Sequence, residues 1–311
     1  MTVEKRQFGN TGLEVSVVGF GGAPIGFLAA EQEAVATILN TLLDKGVNLI
    51  DTAAMYEGSE IAIGKAVADR RDEFVLVSKC GNPANDDVNE WTAKATEKAV
   101  DTALERLQTD HLDVMLLHSC GLDVLEEGDA LAGLVKAREK GKVRFVGYSG
   151  DGHAADKAAQ MEDIAVIETS VNICDQANIE HVLPKTRKHG IGVIAKRPIA
   201  NAAWKDLDRQ PGFYADYART YTERLAKMKL TPESLGFEGD PDEVWPEIAL
   251  RFTLSVNGVH CAIIGTTNPE HAKTNLAAAA KGALPAQTVD TIRKAFASAQ
   301  EEDRKTWMGQ T

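Results

Sequence analysis

Eight short apolar runs, separated by amphipathic stretches, constrain this chain more than any other feature in it. The runs are VSVVGF (15–20), VNLI (47–50), FVLVS (74–78), LDVMLL (112–117), VRFVGY (143–148), IAVIETS (164–170), GVIAK (192–196) and VHCAII (259–264). Each reads as a strand. The intervening stretches read as helices: in EQEAVATILNTLLDKG, Val35, Ile38, Leu39, Leu42 and Leu43 keep i, i+3, i+4 spacing, and Gly46 closes the pattern as a C′ residue should. Strand–helix alternation of this kind allows an open doubly wound sheet or a closed (β/α)8 barrel. Eight repeats in 311 residues favour the barrel, so the expected class is α/β with a TIM-barrel architecture.

Three segments fall outside the alternation. KRQFGNTGLEVS predicts an N-terminal β-hairpin turning at Gly9-Asn10-Thr11-Gly12 and covering the barrel floor. VDTIRKAFASAQEEDRKTW predicts a C-terminal extra helix. Residues 198–242, with Pro198, Pro211, Pro232 and Pro241, form a long connection after the seventh strand, of a length more typical of a functional loop than of a spacer. No internal repeat or low-complexity linker interrupts the chain, and residues 1–311 are expected to form one domain.

Buried strands have no need of charge at their tips. Yet in LIDTAAMYEGSE the second strand ends on Asp51, with Tyr56 shortly after it, while the third strand runs into Lys79 and the fourth into His118. In parallel β/α units the C-terminal tips of successive strands lie side by side, and barrel active sites sit at that face. Asp, Lys and His at neighbouring tips therefore converge, with Tyr56 on the loop above Asp51.

Chemically such a group donates a proton. A phenol with an ordinary pKa of about 10 gives up its proton reluctantly at neutral pH. A nearby ammonium favours the phenolate, and Asp51 would keep Lys79 charged and oriented. His118 can offer a ring N–H to a substrate oxygen. The arrangement suits a carbonyl that becomes an alkoxide and needs a proton. An Asp–Lys pair alone is as often a structural ion pair; the conjunction of four such groups is what points to catalysis.

The formal net charge of −12 argues against a nucleic-acid backbone as partner, since that binding relies on Lys and Arg. Cys80, Cys120, Cys174 and Cys261 form no CxxC or Cys/His cluster, so neither a disulfide framework nor a metal site is indicated. MTVEKRQFGN has no apolar leader core and there is no 18-residue apolar run, so a soluble, cytoplasmic protein with no membrane partner is expected.

The same motifs resemble those of the aldo-keto reductases, from QFGNTGLEVSVVGFGG to IIGTTNPEHAKTN. LIDTAAMYEGSE is similar to the family's Asp-to-Tyr motif, ALERLQTDHLDVMLLHS to the one ending in its histidine, and GKVRFVGYS to the end of its fifth strand. The resemblance implies that Asp51, Tyr56, Lys79 and His118 form a catalytic tetrad, that Tyr56 is the general acid, and that a nicotinamide cofactor supplies the hydride.

On the cofactor side the match is looser. GFGGAPIG is not a GxGxxG fingerprint, but the resemblance brings the backbone at Gly22 close to the nicotinamide ribose and gives Asp51 a place in the same contact. It implies that Ser149 binds the nicotinamide carboxamide. The family's following Asn is Gly150 here, and its strand-six Gln is Glu168. Lys196 stands where many relatives carry an aromatic that stacks on the nicotinamide. Barrels often bind phosphate after strands seven and eight, so Lys196 and Arg197 are candidate cofactor cations. IIGTTNPEHAKTN opens a helix whose N-terminus favours phosphate. Relatives selective for NADPH often have a Lys and an Arg where this chain has Gly265 and His271, while Thr266 and Asn275 remain as adenosine-phosphate and adenine contacts.

The expected activity is therefore reduction of a small-molecule carbonyl with NADP(H), NAD(H) being the alternative cofactor. A redox-sensing regulatory subunit with little turnover, like the reductase-fold subunits of potassium channels, and a barrel isomerase or lyase with a phosphate site are the rivals. The substrate is set by loop residues, for which Asn82, Trp91, Trp204, Phe213, Tyr214 and Tyr217 are candidates as pocket walls or as a barrel cap.

Overall fold

A computed structural model describes residues 3–81, 91–210 and 213–310. An antiparallel hairpin, β1 (Lys5–Gln7) and β2 (Glu14–Ser16), precedes eight parallel strands. These are β3 (Val18–Gly21), β4 (Leu49–Asp51), β5 (Val75–Cys80), β6 (Leu112–His118), β7 (Val143–Ser149), β8 (Ile164–Ser170), β9 (Gly192–Lys196) and β10 (Cys261–Ile264). They pair in sequence order, and β10 pairs with β3 to close the barrel.

The run VSVVGF is divided between two sheets. Val15 pairs with Arg6 in the hairpin, whereas Val18 begins the barrel. Ser16 makes the corner: its hydroxyl donates to the Val18 carbonyl at 2.7 Å and accepts from the Asn48 N–H at 2.9 Å. The hairpin closes the floor as its position suggested. Phe8 at its turn is fully buried and packs into the apolar cluster inside the barrel with Leu49, Val77, Val114, Leu116 and Ile194. Gly9, at φ +58°, lies so close to the chain after the helix Leu183–His189 that a Cβ would meet the Gly190 carbonyl oxygen at 2.4 Å. Only glycine fits there.

The helices form the outer layer and bury one face each. Gln32–Asp44 buries the five apolar residues named above, and burying each such side chain is worth about 1.5–3 kcal/mol. The 198–242 connection is not an open loop. It contains the 16-residue helix Phe213–Met228, and Ala218, Tyr221, Leu225 and Met228 are buried at spacings of three and four. The following helix, Pro241–Ser255, starts on Asp240, whose side chain accepts the Asp242 N–H, with Pro241 at the first helical position. The C-terminal helix spans Ala286–Asp303. Beyond it, Trp307 packs edge-on to Phe296, and the chain runs back over the ends of β8 and β9. Among the described residues no helix is long and apolar enough to cross a membrane.

Candidate active site

Alternation along the strands explains why polar groups gather at one end. Leu49, Val77, Leu116, Val166 and Ile194 point into the barrel and fill its apolar interior. Two residues further along each strand, on the same face, stand Asp51, Lys79, His118, Glu168 and Lys196. Register staggers them around the barrel: Asp51 is level with Val77, Lys79 with Leu116, His118 with Ser149 and Glu168, and Lys196 with Ser170.

Tyr56 comes from the turn above β4. Its N–H donates to the Ala53 carbonyl at 3.0 Å, and its own carbonyl accepts from the Ser59 N–H at 2.8 Å. The Ser59 hydroxyl in turn donates to the Gly22 carbonyl at 3.1 Å. Gly22 itself donates its N–H to the Asp51 carbonyl at 2.7 Å, and a Cβ on it would meet that oxygen at 2.9 Å. Packing against Asp51 thus requires a glycine at this position.

At the centre, the Nζ of Lys79 lies 2.6 Å from both carboxylate oxygens of Asp51 and 3.1 Å from the Thr52 carbonyl. It also lies 3.3 Å from Oε2 of Glu168. The other Glu168 oxygen accepts from the Ser149 hydroxyl at 3.2 Å. The Tyr56 ring sits beneath the ammonium, its centroid 5.2 Å from Nζ, and meets His118 edge-on at 5.9 Å.

Burial dominates the titration of these groups. It pushes the Asp51 carboxyl up, as does the Glu168 charge, while Lys79 pulls it down without compensating. Burial alone would lower Lys79, but the charges of Asp51 and Glu168 outweigh it, and Lys79 is held protonated. The Tyr56 phenol is raised, first by burial; Lys79 acts to lower it, and Asp51 and Glu168 raise it further. Lys79 therefore has the effect anticipated from sequence, but the net shift is upward. His118 is lowered well below its ordinary value by burial and by Lys79, so it is neutral at neutral pH. Its Nδ1 is buried and, among the described residues, has no hydrogen-bond partner.

The two cations after β9 are engaged within the chain. Lys196 pairs with Asp151 at 2.8 Å. Arg197, at φ +56°, stacks on Tyr217 with its guanidinium carbon 4.4 Å from the ring centroid. It also donates to the Tyr217 hydroxyl, the Gln310 carbonyl and the Ser170 hydroxyl. Asp151 organises this side: it accepts from Thr169, the Ser170 N–H and Asn178, and Lys196 and Arg197 pull its pKa down despite burial. Sequence reading missed Asp151. Its only signal was a carboxylate two residues past the end of β7.

After β10, the helix begins at Pro269 rather than next to Gly265, and Asn268 caps it by accepting the Glu270 N–H at 2.9 Å. Gly265 packs against Pro24, the Thr266 hydroxyl accepts the Asn268 N–H, His271 is exposed on the first turn, and Asn275 is half-buried further along. Trp204 stacks on Trp245 of the outer helix Pro241–Ser255 at 6.0 Å, and Trp91 packs on Gly81. Asn82 lies outside the described residues, as do the side chains of Phe213 and Tyr214. Among the described residues no cluster of three His, Cys, Asp or Glu could hold a metal ion.

A closed eight-stranded parallel barrel, with a polar cluster at the C-terminal strand tips where such barrels carry their active sites, defines a TIM-barrel protein. The aldo/keto reductase family model matches residues 17–297, and the chain belongs to that family. It is 27% identical to the uncharacterized oxidoreductase YqkF of Bacillus subtilis over 94% of this chain and 96% of that protein. It is 30% identical to L-galactose dehydrogenase of Arabidopsis thaliana over 64% of this chain and 66% of the plant enzyme. The structure of aldo-keto reductase AKR11C1 from Bacillus halodurans in its holo form superposes with a TM-score of 0.79 at 26% identity, over 94% of this chain and 96% of that one. Membership makes this an oxidoreductase of the class that reduces carbonyls with nicotinamide cofactors.

Proposed function

We propose that this protein reduces an aldehyde or ketone to an alcohol, with Tyr56 as proton donor and NADP(H) as the preferred cofactor. The observation that carries the reading is the convergence of Tyr56, Lys79, Asp51 and His118 at one end of the barrel. A bound nicotinamide supplies the hydride. The carbonyl oxygen lies between the Tyr56 hydroxyl and a ring N–H of neutral His118, which orients it. As negative charge develops on that oxygen, Tyr56 gives up its proton to it. Lys79 stabilises the phenolate left behind, and Asp51 holds the ammonium in place.

The residues fit a nicotinamide cofactor by their chemistry. Ser149, whose hydroxyl donates to Glu168, and Glu168 itself can both accept from a carboxamide NH2. Gly22 and Asp51 line the approach on the ribose side. Lys196 and Arg197 supply positive charge for the diphosphate, and Gly265, Thr266, His271 and Asn275 surround the adenosine end. The L-galactose dehydrogenase relative makes sugars and their aldehydes the first compounds to try.

Initial rates with a panel of aldehydes, ketones and sugars, using NADPH and NADH in turn, test the reading. Turnover of at least one carbonyl at an ordinary enzymatic rate supports it. Tight cofactor retention without turnover of any of them would overturn it in favour of a redox-sensing regulatory subunit.

A further inference from the structure

The ammonium of Lys79 does not belong to Asp51 alone. Glu168 Oε2 stands 3.3 Å from it, beside the two 2.6 Å contacts to Asp51, and all three side chains are buried. The cation that would otherwise act mainly on the Tyr56 ring is divided between two anions.

We infer that Glu168 is a positioning residue for the proton donor: by sharing Lys79 with Asp51, it weakens the ammonium's pull on Tyr56 and holds the phenol in its protonated form to higher pH. This rests on the reading of Tyr56 as the acid. The charged and titratable groups facing the phenol are Lys79, Asp51, Glu168, Tyr217 and His118. Lys79 favours the phenolate, while Asp51 and Glu168 oppose it. Glu168 is fixed where it is from two sides, by Lys79 and by the Ser149 hydroxyl at 3.2 Å. Such a device biases the site toward giving a proton, hence toward carbonyl reduction. It works against alcohol oxidation, where the same residue must first lose its proton.

Glu168→Gln tests the inference, because the amide keeps the shape and the acceptor for Ser149 while removing the charge. With saturating cofactor, the alkaline limb of carbonyl reduction and the acid limb of alcohol oxidation should both move down by about one pH unit or more. Glu168→Asp, which keeps the charge, should leave both limbs near their original positions even if its rates are lower. A purely structural or carboxamide-binding role would alter heights and cofactor Kd but leave the limbs in place. An active Glu168→Gln protein with unmoved limbs overturns this inference alone. A wild-type protein that reduces no carbonyl overturns the proposed function and this inference with it.

Discussion

Lys79 lies over the face of the Tyr56 ring, with Nζ 5.2 Å from the ring centroid. A cation so placed favours the negative charge that the ring carries once its hydroxyl has lost a proton. Lys79 is fully buried and Tyr56 half-buried, so water screens the interaction less than at an open surface.

Tyr56→Phe keeps the ring and its contacts with His118 and Phe27 while removing the proton. Carbonyl reduction should fall by about 100-fold or more, with cofactor affinity almost unchanged. A variant with near-normal kcat would remove Tyr56 from the mechanism.

Lys79→Met leaves Asp51 and Glu168 facing each other without their cation. Breaking a buried pair in this way typically costs about 3–5 kcal/mol, so activity and stability should be lost together. The unpaired carboxyls escape their cost by binding protons, so the destabilisation should be smaller at about pH 5 than at about pH 8. Urea unfolding at both values checks this, and equal losses at the two would contradict it.

Asp175 lies under the C-terminal segment, accepting the Tyr221 hydroxyl at 2.8 Å and the Gln310 N–H at 3.0 Å on one oxygen. Burial, aided by the Asp151 charge, pushes it from 3.8 up to about 7. The folded state thus holds a proton through a range in which the unfolded chain has already lost it. The stability this proton confers is complete below about pH 4 and is lost as pH rises through about 7. Asp175→Asn keeps an acceptor without the charge, so it should gain on the wild type as pH rises, by roughly 1–3 kcal/mol at about pH 8. A difference that stays constant from acid to alkaline pH would count against the shift.

Cofactor choice depends on the 2′-phosphate of NADP. The helix Pro269–Ala280 offers its N-terminus, worth about 0.3–1 kcal/mol, but its first turn carries Glu270 and an exposed His271 in place of a permanent cation. NADPH should therefore be preferred over NADH by less than about 100-fold in Kd. His271→Arg should widen the preference through a permanent charge and paired hydrogen bonds. Fluorescence titrations at neutral pH decide it, and a preference of several thousand-fold in the wild type would mean that another residue supplies the charge.

Much of the barrel was legible because strand and helix periods differ, and each strand was bounded by turn or polar residues. The polar tips were legible for a related reason: Asp51, Lys79 and His118 break apolar runs at points where a buried strand has no use for charge. What could not be read was pairing across strands. Nothing in the sequence says that Glu168 reaches Lys79, because that depends on the stagger between β5 and β8, three strands apart around the barrel. The helix inside residues 198–242 escaped notice because Pro198, Pro211, Pro232 and Pro241 flank it, and flanking prolines resemble a loop when the segment between them is not weighed for periodicity. The return of residues 308–310 over Arg197 and Asp175 has no local pattern; its ties to Arg197, Asp175 and Arg224 are through main-chain groups, which every residue possesses.

The pairing of β10 with β3 joins residue 262 to residue 18. Every strand in this sheet has two neighbours, so the wall has no unsatisfied rim on which another chain could lay a strand. Damage at either end of the sequence is then never local. Loss of β10 would bare the hydrogen-bonding sides of β3 and β9 together, converting a sealed wall into one with two sticky margins. A fragment lacking that last strand should clump instead of persisting as a smaller, working barrel.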